Sequence, residues 1–311
     1  MRVRSPSGQP YYRNWARLSR GFGISCPRSL ERTVTRFGII LPSGGRSGPA
    51  LEAESLAGAA RRIEAAGFES IWAFDAIGRG FLLADPLTAL SVAATVTRHV
   101  ELGTGVLQVP LRNPVELAQR VLTTHLVSGG RLRLGVGAGS TTADFEALGL
   151  DFASRFRRLD ESLSIMRRLW AGERVDRASL EPVWPAALGG PPVLIGSWAG
   201  SRWIERAARE FDGWVGSGAR SSWRLLREGV VRFRDLGGRR AVVTNVVVHL
   251  ASDRPSPDGP DDPCDLKCPR DNARARLHRL RELGFDDIVL VARNHDAAHL
   301  QELHELAVSS R

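Results

Sequence analysis

Residues 101–139 constrain this chain more than any other stretch. A short apolar run, 100–106, is punctuated by glycines and suits a strand buried on both faces. A turn follows at Pro110-Leu111-Arg112. A helix start comes next, with Asn113 as N-cap, Pro114 at the first helical position and Glu116 two residues on. Val115, Ala118, Val121 and Leu122 supply an apolar face, and Ser128-Gly129-Gly130 ends the helix. A second buried strand, 132–136, runs into Gly137-Ala138-Gly139-Ser140. Strand, helix and strand in this order form one β-α-β unit, the building block of parallel sheets.

The same alternation runs through the rest of the chain. Strands are expected at 37–41, 70–74, 100–106, 132–136, 193–195, 213–215, 241–249 and 287–291. Helices are expected at about 51–66, 86–97, 114–127, 155–170, 201–210, 221–236, 271–283 and 295–308. Eight short apolar strands alternating with eight helices predict an α/β fold of the (β/α)8 TIM-barrel type. A doubly wound open sheet uses the same alternation but normally fewer strands. A length of 311 residues fits one large barrel or two ordinary domains. Residues 1–35 lack apolar periodicity, so they are set apart as a disordered or spurious N-terminal extension, and the barrel is assigned to 36–311.

That extension also accounts for the charge. Residues 1–36 hold eight arginines and one glutamate, which is seven of the net +9. The basicity is therefore confined to a tail and does not mark a nucleic-acid surface. Apolar runs are too short to span a bilayer. The three cysteines, Cys26, Cys264 and Cys268, are sparse and odd in number and come without a secretory leader. They imply a cytoplasmic, reducing setting and not a disulfide framework. Cys264 and Cys268, on either side of Lys267, read as loop cysteines.

In a barrel the chemistry belongs at the C-terminal ends of the strands. Those ends are rich in glycine, which lets backbone amides approach a ligand closely. Gly196-Ser197-Trp198 leads into a helix, whose free amides and dipole favour a phosphate. Gly216 and Ser217, on the next strand, are placed to close the same pocket. Ordinary tight turns explain these glycines equally well. Gly137, Ala138 and Gly139 do not have the spacing of a dinucleotide fingerprint, and read as a strand end against a flat ligand. Asp75, at the end of the second strand, is the candidate catalytic carboxylate, or else it caps the loop that follows. His295 and His299, four apart, read as a solvated helix face and no metal site is expected.

Four pieces of the chain resemble the bacterial luciferase-like monooxygenase family, which includes oxidoreductases dependent on the deazaflavin coenzyme F420. They are AAGFESIWAFD at 65–75, LGTGVLQVPLRNPVELAQ at 102–119, SGGRLRLGVGAG at 128–139 with FEALG at 145–149, and PPVLIGS at 191–197 with FDGW at 211–214. The resemblance covers about 36–307. It implies a barrel that binds FMN or F420 at the strand C-termini. It also implies a non-prolyl cis peptide at Gly105-Val106 backing the ring, and a phosphate end on Gly196, Ser197 and Trp198 with Gly216 and Ser217. Asp75, Gln108 and Ser140 would line the ring, and Trp198 would shape a substrate pocket.

Two departures bear on activity. Many members carry a histidine after the second strand, where this chain has Ala76. F420-dependent sugar-phosphate dehydrogenases carry a glutamate where this chain has Ser140. The resemblance therefore implies an F420-dependent oxidoreductase or monooxygenase of an unidentified small organic substrate, with FMN as the alternative cofactor. The FMN reading brings a flavin reductase as partner, and family members are often homodimers. The rival expectation is a catalytically silent barrel that keeps the cofactor or a binding partner.

Overall fold

The structure is a computed structural model that describes residues 35–44, 51, 52, 54–181, 183–198 and 201–310. Apart from Thr35, the expected N-terminal extension lies outside the described residues, as does Cys26. Thr35 itself is buried, and its hydroxyl donates to the Phe285 carbonyl at 3.2 Å.

The strands are β1 (Arg36–Ile40), β2 (Ser70–Ala73), β3 (Glu101–Thr104), β4 (Leu107–Gln108), β5 (Leu132–Gly137), β6 (Val193–Gly196), β7 (Gly213–Ser217), β8 (Ala241–Val247) and β9 (Asp287–Val291). All neighbours pair in parallel, and pairing of β3 with β5 closes the sheet on itself. β3 and β4 are two pieces of one stave. Leu102 registers with Leu132, and Leu107 registers with Val136 further along the same β5. The barrel is thus eight staves of parallel strand, the (β/α)8 architecture expected from the alternation. The expected continuous third strand is instead broken at Gly105-Val106, where the peptide bond is cis.

Outside the barrel lie α1 (Ser55–Ala65), α2 (Pro86–Val96), α3 (Pro114–Val127), α4 (Thr142–Glu146), α5 (Arg155–Trp170), α6 (Trp203–Glu210), α7 (Trp223–Asp235), α8 (Arg270–Glu282) and α9 (Ala297–Ser309). The starts of α2 and α3 follow from short polar caps. Asn113 Oδ1 accepts from the amides of Val115 and Glu116, and Asp85 accepts from Thr88, in each case one residue before a proline at the first helical position. The short α4 was not expected, because five residues are too few to show helical periodicity. Among the described residues, no helix is long and apolar enough to cross a membrane.

The bore of the barrel has three levels. At the N-terminal ends of the strands it is ionic, with Arg36, Glu101, Arg133, Arg240 and Asp287 joined in one network. Above that, Ile40, Trp72, Leu194, Val215, Val242 and Val289 form an apolar plug. Trp72 needs glycine beside it, since a Cβ on Gly103 would lie 2.3 Å from its ring. Its indole N–H is satisfied by Ser70 Oγ at 2.9 Å. The third level, at the C-terminal ends, is an open cavity.

Candidate active site

This cavity has a volume of about 460 Å³. It brings together all thirteen residues expected from the sequence. Asp75 stands at the end of β2. Gly105, Val106 and Gln108 form a shelf where β3 passes into β4. Gly137, Ala138, Gly139 and Ser140 end β5, Gly196, Ser197 and Trp198 end β6, and Gly216 and Ser217 end β7.

Side-chain packing explains the shelf. Val106 sits in the gap between two glycines. A Cβ on Gly137 would lie 2.8 Å from Val106 Cγ2, and one on Gly196 would lie 2.8 Å from Val106 Cγ1. On the side where a Cβ would stand, both glycines are therefore filled by Val106, while their backbones still line the cavity. Gly139 is different. Its φ is +83°, and a Cβ there would meet Gln108 Oε1 at 2.7 Å. The free amide expected at Ser197 is also engaged, since it donates to the Val215 carbonyl at 3.3 Å. Ala199 and Gly200, which follow Trp198, lie outside the described residues.

On the β2–β4–β5 side of the cavity two ion pairs meet. Arg112 holds Asp75 through both oxygens at 2.7 and 2.9 Å, and the backbone amide of Gln108 donates to the same carboxylate at 2.7 Å. The Asp75 side chain is 1% exposed. Arg79 holds Asp144 through both oxygens at 2.7 Å, and that carboxylate is fully buried. Asp144 keeps the Arg79 guanidinium even more firmly protonated than usual, against the opposing effect of burial. Gln108 bridges the pairs, with Nε2 donating to Asp144 Oδ2 at 2.8 Å and to the Asp75 carbonyl at 3.2 Å. Both partners are acceptors, so the amide must point its nitrogen at them, and Oε1 is left buried without a donor. Asp75 is therefore held in place like an internal counter-ion, and its carboxylate oxygens are already occupied by donors.

The β6–β7–β8 side carries polar atoms without partners. Ser197 Oγ, Trp203 Nε1 and Asn245 Oδ1 are buried and unbonded among the described residues. Ser201, Ser217, Ala219 and Arg220 complete this wall. Arg220 is exposed, and forms no ion pair among the described residues. Trp198 is 48% exposed at the rim.

The barrel mouth thus joins an apolar shelf to a carboxylate-pinned amide on one side and to unpartnered polar atoms on the other. The model of the luciferase-like monooxygenase family matches residues 35–255. The chain belongs to the luciferase-like monooxygenase family.

The family includes members that use F420 and members that use FMN. The chain is 38% identical over 108 residues to 4-hydroxyprotoasukamycin monooxygenase of Streptomyces nodosus subsp. asukaensis, a match spanning 34% of this chain and 29% of that protein. It is 34% identical over 123 residues to an F420-dependent glucose-6-phosphate dehydrogenase of Amycolatopsis mediterranei, spanning 37% of each. The matched segments thus cover about a third of the length of these relatives. In three dimensions the oxygenating constituent of 3,6-diketocamphane monooxygenase from Pseudomonas putida, solved with FMN, superposes with a TM-score of 0.70. That match has 17% identity and covers 88% of this chain and 96% of the other.

Within this luciferase-like barrel, several cavity residues were not expected from the sequence. Arg79 and Asp144 are 65 positions apart, and no local pattern announces their pairing. Arg220 lies in a 3-10 turn after β7. Asn245 had a signal, since Thr244-Asn245 interrupts an otherwise apolar run from Ala241 to Val248. The expected solvated helix face of His295 and His299 is not formed, since His295 precedes α9 and both side chains are partly buried. His295 Nε2 donates to the Ile40 carbonyl at 2.7 Å, and His299 lies by Glu302. Cys264 and Cys268 are free thiols buried in the core. Burial raises the pKa of both, as suits inert packing residues.

Proposed function

We propose that this barrel is an oxidoreductase that binds coenzyme F420, with FMN as the alternative, and acts on a small organic substrate. The observation that carries this reading is the cavity at the strand C-termini, whose lining joins an apolar shelf to hydroxyls, amides and an arginine. Buried polar atoms without protein partners border it, and a ligand that reached them would recover about 1–3 kcal/mol each. Val106 and Ala138 would back the ring. Gln108 would face it from the Asp75 and Asp144 side. Ser197, Ser201, Ser217 and Arg220 would hold the phosphate. Such a cofactor supplies the hydride or oxygen chemistry that side chains lack.

F420 is favoured over FMN by charge at the cavity mouth. Arg220 lines the cavity, is exposed and forms no ion pair among the described residues. F420 carries carboxylates beyond its phosphate and FMN does not. Asp75 then acts as a positioning residue, fixing Gln108 through its main-chain amide and carbonyl. The test is titration of the protein with F420 and with FMN, followed by cofactor fluorescence and then by turnover of the reduced cofactor with electron acceptors. F420 binding with turnover is expected. FMN binding alone would move the reading to a monooxygenase fed by a flavin reductase.

A second reading, a barrel that binds cofactor but is catalytically silent, is favoured by Ala76 and by the two arginine-bound carboxylates. Binding without turnover under any acceptor would select it.

A further inference from the structure

We propose that Asn245 is the positioning residue that makes the Ser217 hydroxyl a donor to the phosphate of the bound cofactor. This rests on the cofactor reading above. Strand β8 contains one extra residue. Val243 registers with Ile288 and Val246 with Leu290, so three steps along β8 oppose two along β9. The extra residue shifts the phase of alternation. Val242 faces the bore and Thr244 lines the cavity, but beyond the shift Val246 and Val248 pack toward the helices while Val247 lines the cavity. Thr244 and Asn245, consecutive in sequence, therefore both line the cavity.

Asn245 has φ +60°, a left-handed conformation that asparagine tolerates better than most side chains. Its Nδ2 donates to Ser217 Oγ at 3.2 Å. A serine hydroxyl has one proton and two acceptor sites. With one acceptor site filled by Asn245, the proton of Ser217 is free to point at a ligand acceptor, and none of the described residues receives it. Neighbouring Ser197 Oγ is likewise unbonded, and Arg220 brings positive charge to the same wall. Thr244 does a different job, since its hydroxyl is tied to the Gly216 carbonyl at 3.3 Å and braces the strand end. The bulge is thus the device that adds an amide donor to the anion end of the cavity.

The test compares ligands with and without phosphate: FMN against riboflavin, and F420 against its phosphate-free chromophore. Wild type is expected to prefer the phosphorylated form of whichever pair it binds. Asn245→Gly keeps the left-handed backbone accessible and removes the amide. It should weaken binding of the phosphorylated ligand about tenfold and leave the phosphate-free ligand within about twofold. Asn245→Asp should lose more, because a carboxylate donates nothing and repels the phosphate. Ser217→Ala should match Asn245→Gly, and the double variant should be no worse than either.

Equal weakening of both ligand forms by Asn245→Gly would show a structural role and overturn the proposal, as would an unchanged phosphate preference. If wild type binds none of the four ligands, the cofactor reading falls and this proposal with it. If wild type binds them without phosphate preference, only this proposal falls.

Discussion

The two ends of the barrel both place polar groups in the bore, and they differ in how completely those groups are matched. At the N-terminal end Asp287 is fully buried and is held by Arg240 and Arg36 at 2.9 Å each, while Glu101 is bound by Arg36, Arg133 and Arg240. Both acids there are matched to arginines. At the C-terminal end Asp75 and Asp144 are matched to arginines as well, but Gln108 Oε1, Ser197 Oγ, Trp203 Nε1 and Asn245 Oδ1 are buried and left unmatched. Satisfied polar groups bind the staves together, whereas unsatisfied ones leave binding free energy for a ligand to collect. One end is built for stability and the other for recognition.

Four substitutions or conditions sharpen that contrast, in order of decreasing effect. Asp287→Ala leaves Arg240 and Arg36 facing each other without their buried acid. It should destabilise the fold by about 3–5 kcal/mol, read from denaturant unfolding, with cofactor affinity of the folded fraction unchanged. A loss under about 1 kcal/mol would mean that the ionic floor is no better than a surface salt bridge.

Asp144→Asn keeps the shape but removes the charge that anchors Arg79 and orients Gln108. It should cost about 1–3 kcal/mol and also weaken cofactor binding, because this pair is structural yet borders the cavity. If affinity were untouched, Gln108 would have no part in recognition.

Ser197→Ala removes an atom that has no protein partner. Stability should stay within about 0.5 kcal/mol of wild type, while cofactor binding falls about tenfold. Thermal melting with and without cofactor separates the two quantities. A clear loss of stability in the free protein would sink the contrast.

Acidification should act on the two ends in different pH windows. At the rim, burial lowers the pKa of His295 from 6.5, so the folded state keeps it neutral while the unfolded chain takes up a proton. The stability it contributes is present above pH 6.5 and is lost as pH falls through its depressed pKa. At the floor, burial pushes Glu101 upward, but Arg240, Arg36 and Arg133 outweigh it and the pKa falls below 4.5. Its contribution is present above pH 4.5 and is lost on further acidification. His295→Gln should make the stability profile shallower just below pH 6.5, leaving the slope below pH 4.5 intact. His125, also held low by burial, keeps part of the first slope. An unchanged profile would show that the Ile40 contact carries no pH-dependent stability.

The legible parts of the molecule are those written in short sequence windows. Strand and helix periods, the Asn113-Pro114 and Asp85-Pro86 caps and the glycine-rich strand ends all concern residues within a few positions of each other. They suffice to place thirteen residues around one cavity, because in a barrel every strand end points to the same face. The roles of those residues were less legible. The sequence offers Asp75 as a catalytic carboxylate or a loop cap and does not show its ion pair, because Arg112 is 37 positions away. That Gly137 and Gly196 also make room for Val106 is not legible either, because nothing local shows Val106 lying between them.

The sequence by itself determined the alternation of elements, and hence the barrel and the face on which its chemistry lies, since hydrophobic period and capping act over one or two turns of chain. Only the tertiary structure decided which polar atoms are matched. Pairing of Arg79 with Asp144, of Glu101 with three arginines, and the phase shift that turns Asn245 into the cavity depend on distances between staves. Those distances exist only once the sheet has closed.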